Sequence, residues 1–169
     1  MQFDVLCREL ARGALIWREL LADIPEAEAQ TKPNPQSWSI LEVACHLLDE
    51  EREDFRQRLD IILHRPAEEW PPISPVDWVT ARRYSERDFG EVVAAFLAER
   101  ERSLAWLRTL AAPDLDAEYR TPRGIMRAGD MLASWVAHDN LHMRQIIELR
   151  RNRLVHLAGP YDVMYAGDW

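Results

Sequence analysis

Apolar residues return every three or four positions in four separate stretches of the chain, and this spacing constrains the fold more than any other feature. Residues that recur at this interval lie on one face of an α-helix, so each stretch predicts a helix with one buried side. The predicted helices cover residues 3–24, 39–63, 88–110 and 128–152. Together they predict an all-α fold, a four-helix bundle.

Local signals mark where several of these helices begin and end. Ser39 and Glu42 have the spacing of a capping box, in which each side chain satisfies a backbone amide of the other at a helix start. Pro25 and Pro113 cannot continue a helix and predict the ends of the first and third. Gly129 weakens the start of the fourth.

The segment between the second and third helices is long and rich in proline and aromatic residues. Residues 65–85 hold four prolines together with Trp70, Trp78 and Tyr84. This composition predicts an ordered crossover whose aromatic side chains cover part of the bundle, in preference to a flexible linker.

The length of 169 residues fits one domain over residues 1–169. The tail, from about residue 153, contains three aromatic residues, which predict that it packs on the bundle surface or on a partner. They are Tyr161, Tyr165 and Trp169.

Charge and composition exclude several classes of function. A formal net charge of −8 opposes binding to the phosphate backbone, so DNA and RNA are improbable partners. A helix that spans a bilayer needs roughly 20 apolar residues in a row, and no run in the sequence approaches that length. The first residues also lack the basic stretch followed by an apolar run that marks a secretory signal peptide. Cys7 and Cys45 lack a CxxC spacing and predict reduced thiols. We therefore expect a cytoplasmic protein that does not enter a membrane.

The fourth predicted helix carries two histidines one turn apart. His138 and His142 return to nearly the same helix face at a rise of about 6 Å, so both imidazoles can point at one ion. Such a pair also occurs by chance on exposed helix faces. Here Trp135, Leu141 and Ile146 are predicted core residues that make the helix apolar, and two buried imidazoles without a partner would carry a desolvation cost that a shared ion removes.

The second predicted helix supplies a third histidine. His46 alone is more often a hydrogen-bonded core residue than a ligand, but facing helices of a bundle build metal sites from inward side chains. Three histidines and an open position are the arrangement of catalytic zinc. Glu50, one turn after His46, is either a general base, an acceptor that orients an imidazole, or an ion-pair partner of an arginine such as Arg144.

Three further polar residues lie near the histidines in sequence. Gln145, one turn after His142, is predicted to line the site or to bond across the bundle. Asp49 and Asp139 point about 100° away from their neighbouring positions on the helix, which predicts surface ion pairs.

Two segments of the chain resemble the signature segments of the DinB/YfiT-like superfamily. They are SWSILEVACHL at residues 37–47 and AHDNLHMRQI at residues 137–146, in the same order as in the family. The chain departs from the family at Arg127, where relatives often have a Thr or Ser cap, and at Leu141, where a second histidine is common.

The resemblance implies an up-up-down-down bundle with a long crossover between its second and third helices, usually as a homodimer. It implies a divalent metal ion held by one histidine of the second helix and the HxxxH pair of the fourth, which match His46, His138 and His142. The family includes enzymes that use the thiols mycothiol or bacillithiol, metal-dependent hydrolases, and members with no assigned activity.

These observations lead to three hypotheses. The first is an enzyme in which one zinc or nickel ion activates water for hydrolysis, or a low-molecular-weight thiol cosubstrate for S-transfer. The second is a non-catalytic stress-response or binding module that the metal stabilises. The third is a bundle in which the histidines are neutral core residues and no metal binds.

Overall fold

The computed structural model describes residues 2–167, and the chain forms helices over most of that range. The helices are α1 (Gln2–Leu21), α2 (Glu26–Ala29), α3 (Ile40–Glu53), α4 (Phe55–His64), α5 (Pro75–Ala81), α6 (Phe89–Thr109) and α7 (Ala128–Ala158). A hairpin of β1 (Glu118–Thr121) and β2 (Gly124–Arg127) precedes α7. Short 3-10 turns cover Tyr84–Glu86 and Met164–Ala166. The predicted all-α, up-up-down-down four-helix bundle is confirmed, with α1, α3–α4, α6 and α7 as its four members.

The second member of the bundle is two helices where the sequence predicts one. Asp54 adopts φ −119° and ψ −91°, which separates α3 from α4, so the continuous helix predicted over residues 39–63 is wrong at this point. Hydrogen bonding resumes at once, because the Arg58 amide donates to the Asp54 carbonyl at 2.8 Å. Aspartate is a weak helix former whose short carboxylate competes for local partners, and the Asp54 carboxylate lies 2.8 Å from Arg58 Nε.

The predicted capping box holds the start of α3. The Ser39 amide donates to Glu42 Oε2 at 2.9 Å, and the Glu42 amide donates to Ser39 Oγ at 3.2 Å. Lys32 Nζ lies 2.7 Å from the other Glu42 oxygen, so this buried carboxylate is fully paired. The cap fixes where α3 begins. Because His46 lies less than two turns after Ser39, the cap also fixes the position of His46 along the bundle.

The segment predicted as a loop before the fourth helix is a β-hairpin. Thr121 pairs with Gly124 across a tight turn, where Gly124 has φ +126°, a conformation that side chains with a Cβ rarely adopt. The α7 start predicted to be weak is held by backbone bonds, since the Ala128 and Gly129 amides donate to carbonyls of residues 117 and 115. The Arg127 amide donates to Asp130 Oδ2 at 3.1 Å, which supplies a cap in place of the missing Thr or Ser.

The last helix is longer than predicted. It continues to Ala158, so the tail predicted from about residue 153 begins inside α7. Tyr161 and Tyr165 are exposed and do not pack on the bundle, and Trp169 lies outside the described residues. Leu141, predicted for the core, is 51% exposed, because the buried face of α7 follows Trp135, Asp139, His142 and Ile146.

The crossover is ordered and is attached to the bundle by aromatic and ionic contacts. The Trp70 ring stacks on Tyr119 of the hairpin with centroids 4.6 Å apart. Arg82 lies 3.9 Å over the Trp78 ring and 2.8 Å from the Asp49 carboxylate of α3, which also accepts the Tyr84 hydroxyl at 2.6 Å. Among residues 2–167, the helices are all too short or too polar to cross a bilayer.

A buried arginine joins three members of the bundle. Arg100 of α6 is 1% exposed and donates to both oxygens of Glu51 on α3 at 2.9 Å, and to Asp139 on α7 at 2.5 and 2.8 Å. The indole of Trp17 on α1 donates to Asp139, and that of Trp135 donates to Glu51, each at 3.1 Å. All four members of the bundle therefore meet in one hydrogen-bonded cluster.

The approach of α1 to this cluster depends on a glycine. A Cβ at Gly13 would lie 2.7 Å from Asp139 Oδ2, closer than real Cβ contacts, so the absent side chain lets α1 and α7 pack together at this level. The same packing brings the indole of Trp17, one turn later, to Asp139.

Replacing Arg100 tests how much the cluster contributes to stability. We expect Arg100→Met to lower the free energy of unfolding by about 3–5 kcal/mol, because it leaves two carboxylates buried without their cation. Urea denaturation followed by circular dichroism measures the change. Arg18→Met is the matched control, since it removes an exposed ion pair with Glu101 and should cost less than about 1 kcal/mol. Equal losses in the two variants would contradict this account.

Candidate metal centre

Three imidazoles from two helices converge between α3 and α7. His46 Nε2 lies 3.2 Å from His138 Nε2 and 3.1 Å from His142 Nε2, and the last two nitrogens are 3.1 Å apart. His46 and His142 are buried and His138 is half-buried. The structure thus brings together the three histidines that the sequence suggests as ligands, and they form a group that could hold a metal ion.

Hydrogen bonding among the three nitrogens cannot account for this arrangement. A neutral imidazole nitrogen carries either one proton or one lone pair, so in a triangle of three at least one pair must match, donor to donor or acceptor to acceptor. A cation satisfies three lone pairs at once. Ligand nitrogens about 2.0–2.1 Å from one tetrahedral ion lie about 3.3 Å apart, close to the separations seen here.

The environment keeps these imidazoles neutral. Burial, together with the neighbouring His142, lowers the pKa of His46 to about 3. Burial and the nearby His142, His46 and Arg100 lower the pKa of His138 to about 2. Burial also lowers the pKa of His142. At neutral pH the lone pairs are therefore available, as metal binding requires.

Gln145 fixes the tautomer of one imidazole. Its Oε1 lies 2.7 Å from His142 Nδ1, and because a carbonyl oxygen only accepts, Nδ1 carries the proton. The Nε2 lone pair of His142 is then directed at the centre of the triangle. Of the two roles predicted for Gln145, the structure places it beside the site, in contact with His142.

Glu50 lies behind His46, on the side of the ring away from the other two histidines. Its Oε1 is 4.0 Å from His46 Nδ1, and neither atom has a hydrogen-bond partner within residues 2–167. Burial, and then the hydrogen bond with Asp54, raises the pKa of Glu50 to about 9. Arg144 does not pair with Glu50; it lies 3.4 Å from Glu148.

Aromatic rings that the sequence does not connect with the site enclose the histidines. The Trp38 ring lies 5.0 Å from His46, and the Phe55 ring lies 4.9 Å from His138 and stacks on Trp135 at 5.7 Å. The position of Phe55, directly after the helix break, has no signal in the sequence. Trp38 lies inside the signature segment, which is the one indication of its role.

A groove of about 390 Å³ reaches His142 from the surface. Trp38, Gln145 and the polar side chains of Gln36, Ser37 and Asn152 line it. The histidines are therefore adjacent to space that a small molecule could enter.

Asp49 and Asp139 correct the prediction of surface ion pairs. Both are buried, since they are 5% and 3% exposed, and both pair with arginines inside the protein, Arg82 and Arg100. An offset of about 100° from a buried histidine does not by itself expose a side chain, because a second face of the helix is also covered. The Asp139 side of α7 packs against Trp17 of α1 and Arg100 of α6. At the level of Asp49, α3 has no exposed face, since every residue from Ile40 to Glu51 is buried.

The other two histidines and the two cysteines lie apart from the histidine cluster. His64 pairs with Asp60 at 2.8 Å on the surface, and His156 is exposed. Burial raises the pKa of the Cys45 thiol to about 12 and that of Cys7 to about 11, so both thiols are protonated at neutral pH.

Comparisons with known proteins identify a family and a similar fold. The sequence matches the profile of the DinB superfamily over residues 9–146. No curated protein matches it. Among solved structures, it is similar to YfiT from Bacillus subtilis, described as a probable metal-dependent hydrolase with an unusual four-helix bundle topology. The two chains are 20% identical with a TM-score of 0.77 over 89% of this chain and 87% of YfiT, which shows the shared fold.

Proposed function

This chain belongs to the DinB superfamily, and from that premise we propose that it is an enzyme that binds one divalent transition-metal ion through His46, His138 and His142. The observation that carries the proposal is the triangle of Nε2 atoms, each 3.1–3.2 Å from the other two. Three imidazole nitrogens suit zinc or nickel, which we propose as the resident ion.

When bound, such an ion lowers the pKa of a coordinated water or thiol and so supplies a nucleophile at neutral pH. With water the reaction is a hydrolysis, which the description of YfiT as a probable metal-dependent hydrolase favours. With a low-molecular-weight thiol cosubstrate it is an S-transfer. The groove beside His142 and Gln145 admits the substrate in either case.

The protein's own residues orient the ligands. Gln145 holds the His142 proton on Nδ1, and Glu50 lies nearest to the Nδ1 of His46. We assign Glu50 to the orientation of His46 in preference to the role of general base, because it lies behind the imidazole instead of facing the triangle.

The position of Glu50 also bears on the non-catalytic alternative. A purely structural site is expected to be closed by a fourth protein ligand. Glu50 is the acidic residue that the sequence offers for this purpose, and its carboxylate is directed at the far side of His46. This placement supports a site that keeps a position for substrate.

We propose further that two copies of the chain associate through α1 and α7. Leu15 and Ile16 of α1 and Leu154 of α7 are exposed by at least half. Two adjacent grooves that share Leu20 and Arg150 connect these side chains into one apolar surface. A two-fold axis through this surface would bury it against itself, as in an isologous dimer.

Removal of two ligands tests the metal site and the activity together. We expect the double variant His138→Ala and His142→Ala to lose its bound ion and all turnover, because a single imidazole cannot retain the metal. Metal content is measured by mass spectrometry of purified protein. Turnover is measured with a p-nitrophenyl ester for hydrolysis and with cysteine and an aryl chloride for S-transfer.

The double variant His64→Ala and His156→Ala is the matched control and should retain both metal and activity, because neither histidine lies in the cluster. If the double variant of His138 and His142 still bound stoichiometric metal, the assignment of these histidines as ligands would be wrong. Wild-type protein that holds metal but turns over neither class of substrate would favour the non-catalytic module.

Charge introduced into the apolar surface tests the dimer. We expect Ile16→Glu and Leu154→Glu to shift the protein from dimer to monomer in size-exclusion chromatography with light scattering, because association would then have to remove a carboxylate from water in place of an apolar side chain. Val76→Glu, at a position 74% exposed on the crossover, should stay dimeric. A wild-type protein that is monomeric at micromolar concentrations would contradict the proposal.

A further inference from the structure

A row of polar side chains leads away from the metal centre along α3 and α4. His46, Glu50, Asp54 and Arg58 follow one another at intervals of four residues, and they continue across the break at Asp54. The first three are at most 7% exposed. Polar groups at such depth are expected to be paired with one another, because each carries a desolvation cost.

The outer end of the row is anchored to the crossover. The Arg58 guanidinium lies 4.6 Å over the Trp70 ring, and its Nη2 donates to the Pro71 carbonyl at 3.3 Å. Arg58 Nε lies 2.8 Å from Asp54 Oδ1 without being directed along a hydrogen bond, so the contact is an ion pair. Arg58 therefore joins α4 to two residues of the crossover and holds the Asp54 carboxylate beside them.

The inner end of the row reaches the ligand. Asp54 is hydrogen-bonded to Glu50, whose Oε1 lies 4.0 Å from His46 Nδ1. When His46 binds the proposed ion through the lone pair of Nε2, Nδ1 carries the proton and needs an acceptor. Glu50 Oε1 is itself without a hydrogen-bond partner in the described part of the chain, and it is the carboxyl oxygen that lies 4.0 Å from this nitrogen. A shift of about 1 Å, or one bridging water, would bring the two atoms into hydrogen-bonding contact.

We propose that Arg58 is a positioning residue of the metal centre, which acts through Asp54 and Glu50 to orient the His46 imidazole and so links the crossover to metal affinity. This inference rests on the proposed metal site. Three residues, Glu50, Asp54 and Arg58, would then orient the His46 imidazole, where Glu50 alone lies near it. The crossover around Trp70 and Pro71 would affect the metal centre through Arg58, without contacting the histidines.

A second arginine supplies a matched control. Arg82 also stacks on a crossover tryptophan, Trp78, and also pairs with a buried carboxylate of α3, Asp49. Asp49 accepts the Tyr84 hydroxyl instead of bonding to Glu50. The loss of Arg82 removes ion pairs with Asp49 and Glu53 and a stacked guanidinium, so it disturbs the crossover at least as much as the loss of Arg58. Only the loss of Arg58 interrupts the row that ends at His46.

The affinity for zinc, measured by competition with a chromophoric chelator, distinguishes the two variants. We expect Arg58→Gln to bind zinc about 10-fold more weakly than wild type, the lower end of the range for residues that orient a ligand from behind. The visible absorption bands of the cobalt-substituted protein should also shift, because the His46 ring is less well fixed. Arg82→Gln should bind zinc within about twofold of wild type and leave the bands unchanged, even if it lowers the melting temperature.

Asp54→Asn breaks the same row without touching Trp70 and serves if Arg58→Gln does not fold; it should weaken zinc binding by a similar factor. Wild-type affinity and unchanged cobalt bands in the folded Arg58→Gln or Asp54→Asn protein would overturn the inference while leaving the metal site intact. Equal weakening by Arg82→Gln would also overturn it, since the effect would then be one of general stability. A wild-type protein that binds no zinc would overturn the proposed function and this inference with it.

Discussion

The double ion pair of Arg100 is the interaction on which the rest of the bundle depends. Its guanidinium binds a carboxylate from α3 and another from α7, and the tryptophans that complete the cluster bring in α1. A buried charge with two fixed partners tolerates little sliding of one helix along another, because any shift leaves a carboxylate unpaired. Asp139 directly follows His138, and Glu51 lies five residues after His46. The ion pairs of Arg100 therefore fix how far α3 and α7 are shifted along each other where the histidines meet.

That alignment explains why three imidazoles face one another in a way that their own hydrogen bonding does not favour. Their Nε2 lone pairs cannot all be satisfied mutually, and their low pKa values exclude protonation as a solution at neutral pH. Gln145 on one side, and the row from Glu50 to Arg58 on the other, orient the rings. The surrounding bundle thus holds three neutral imidazoles in an arrangement that a divalent cation would stabilise.

Local patterns in the sequence predict most of the helical framework, since the capping box at Ser39 and the apolar spacing of each helix act over a few residues. The HxxxH pair is likewise visible, because helix geometry alone places His138 beside His142. The break at Asp54 and the burial of Asp139 are not visible. The partners that bury Asp139, Arg100 and Trp17, lie 39 and 122 positions away, and no local pattern records such contacts. The same limit applies to Phe55, which reaches His138 only after the chain has folded.

Anomalous scattering would locate a divalent ion bound by the Nε2 atoms of His46, His138 and His142. The experiment uses diffraction data collected on either side of the metal absorption edge, from crystals of protein purified without added chelator. We expect one anomalous peak per chain, about 2.0–2.2 Å from each of the three nitrogens. A peak bound by other residues, or three histidines in contact with no anomalous scatterer between them in metal-supplemented crystals, would contradict the proposed metal site.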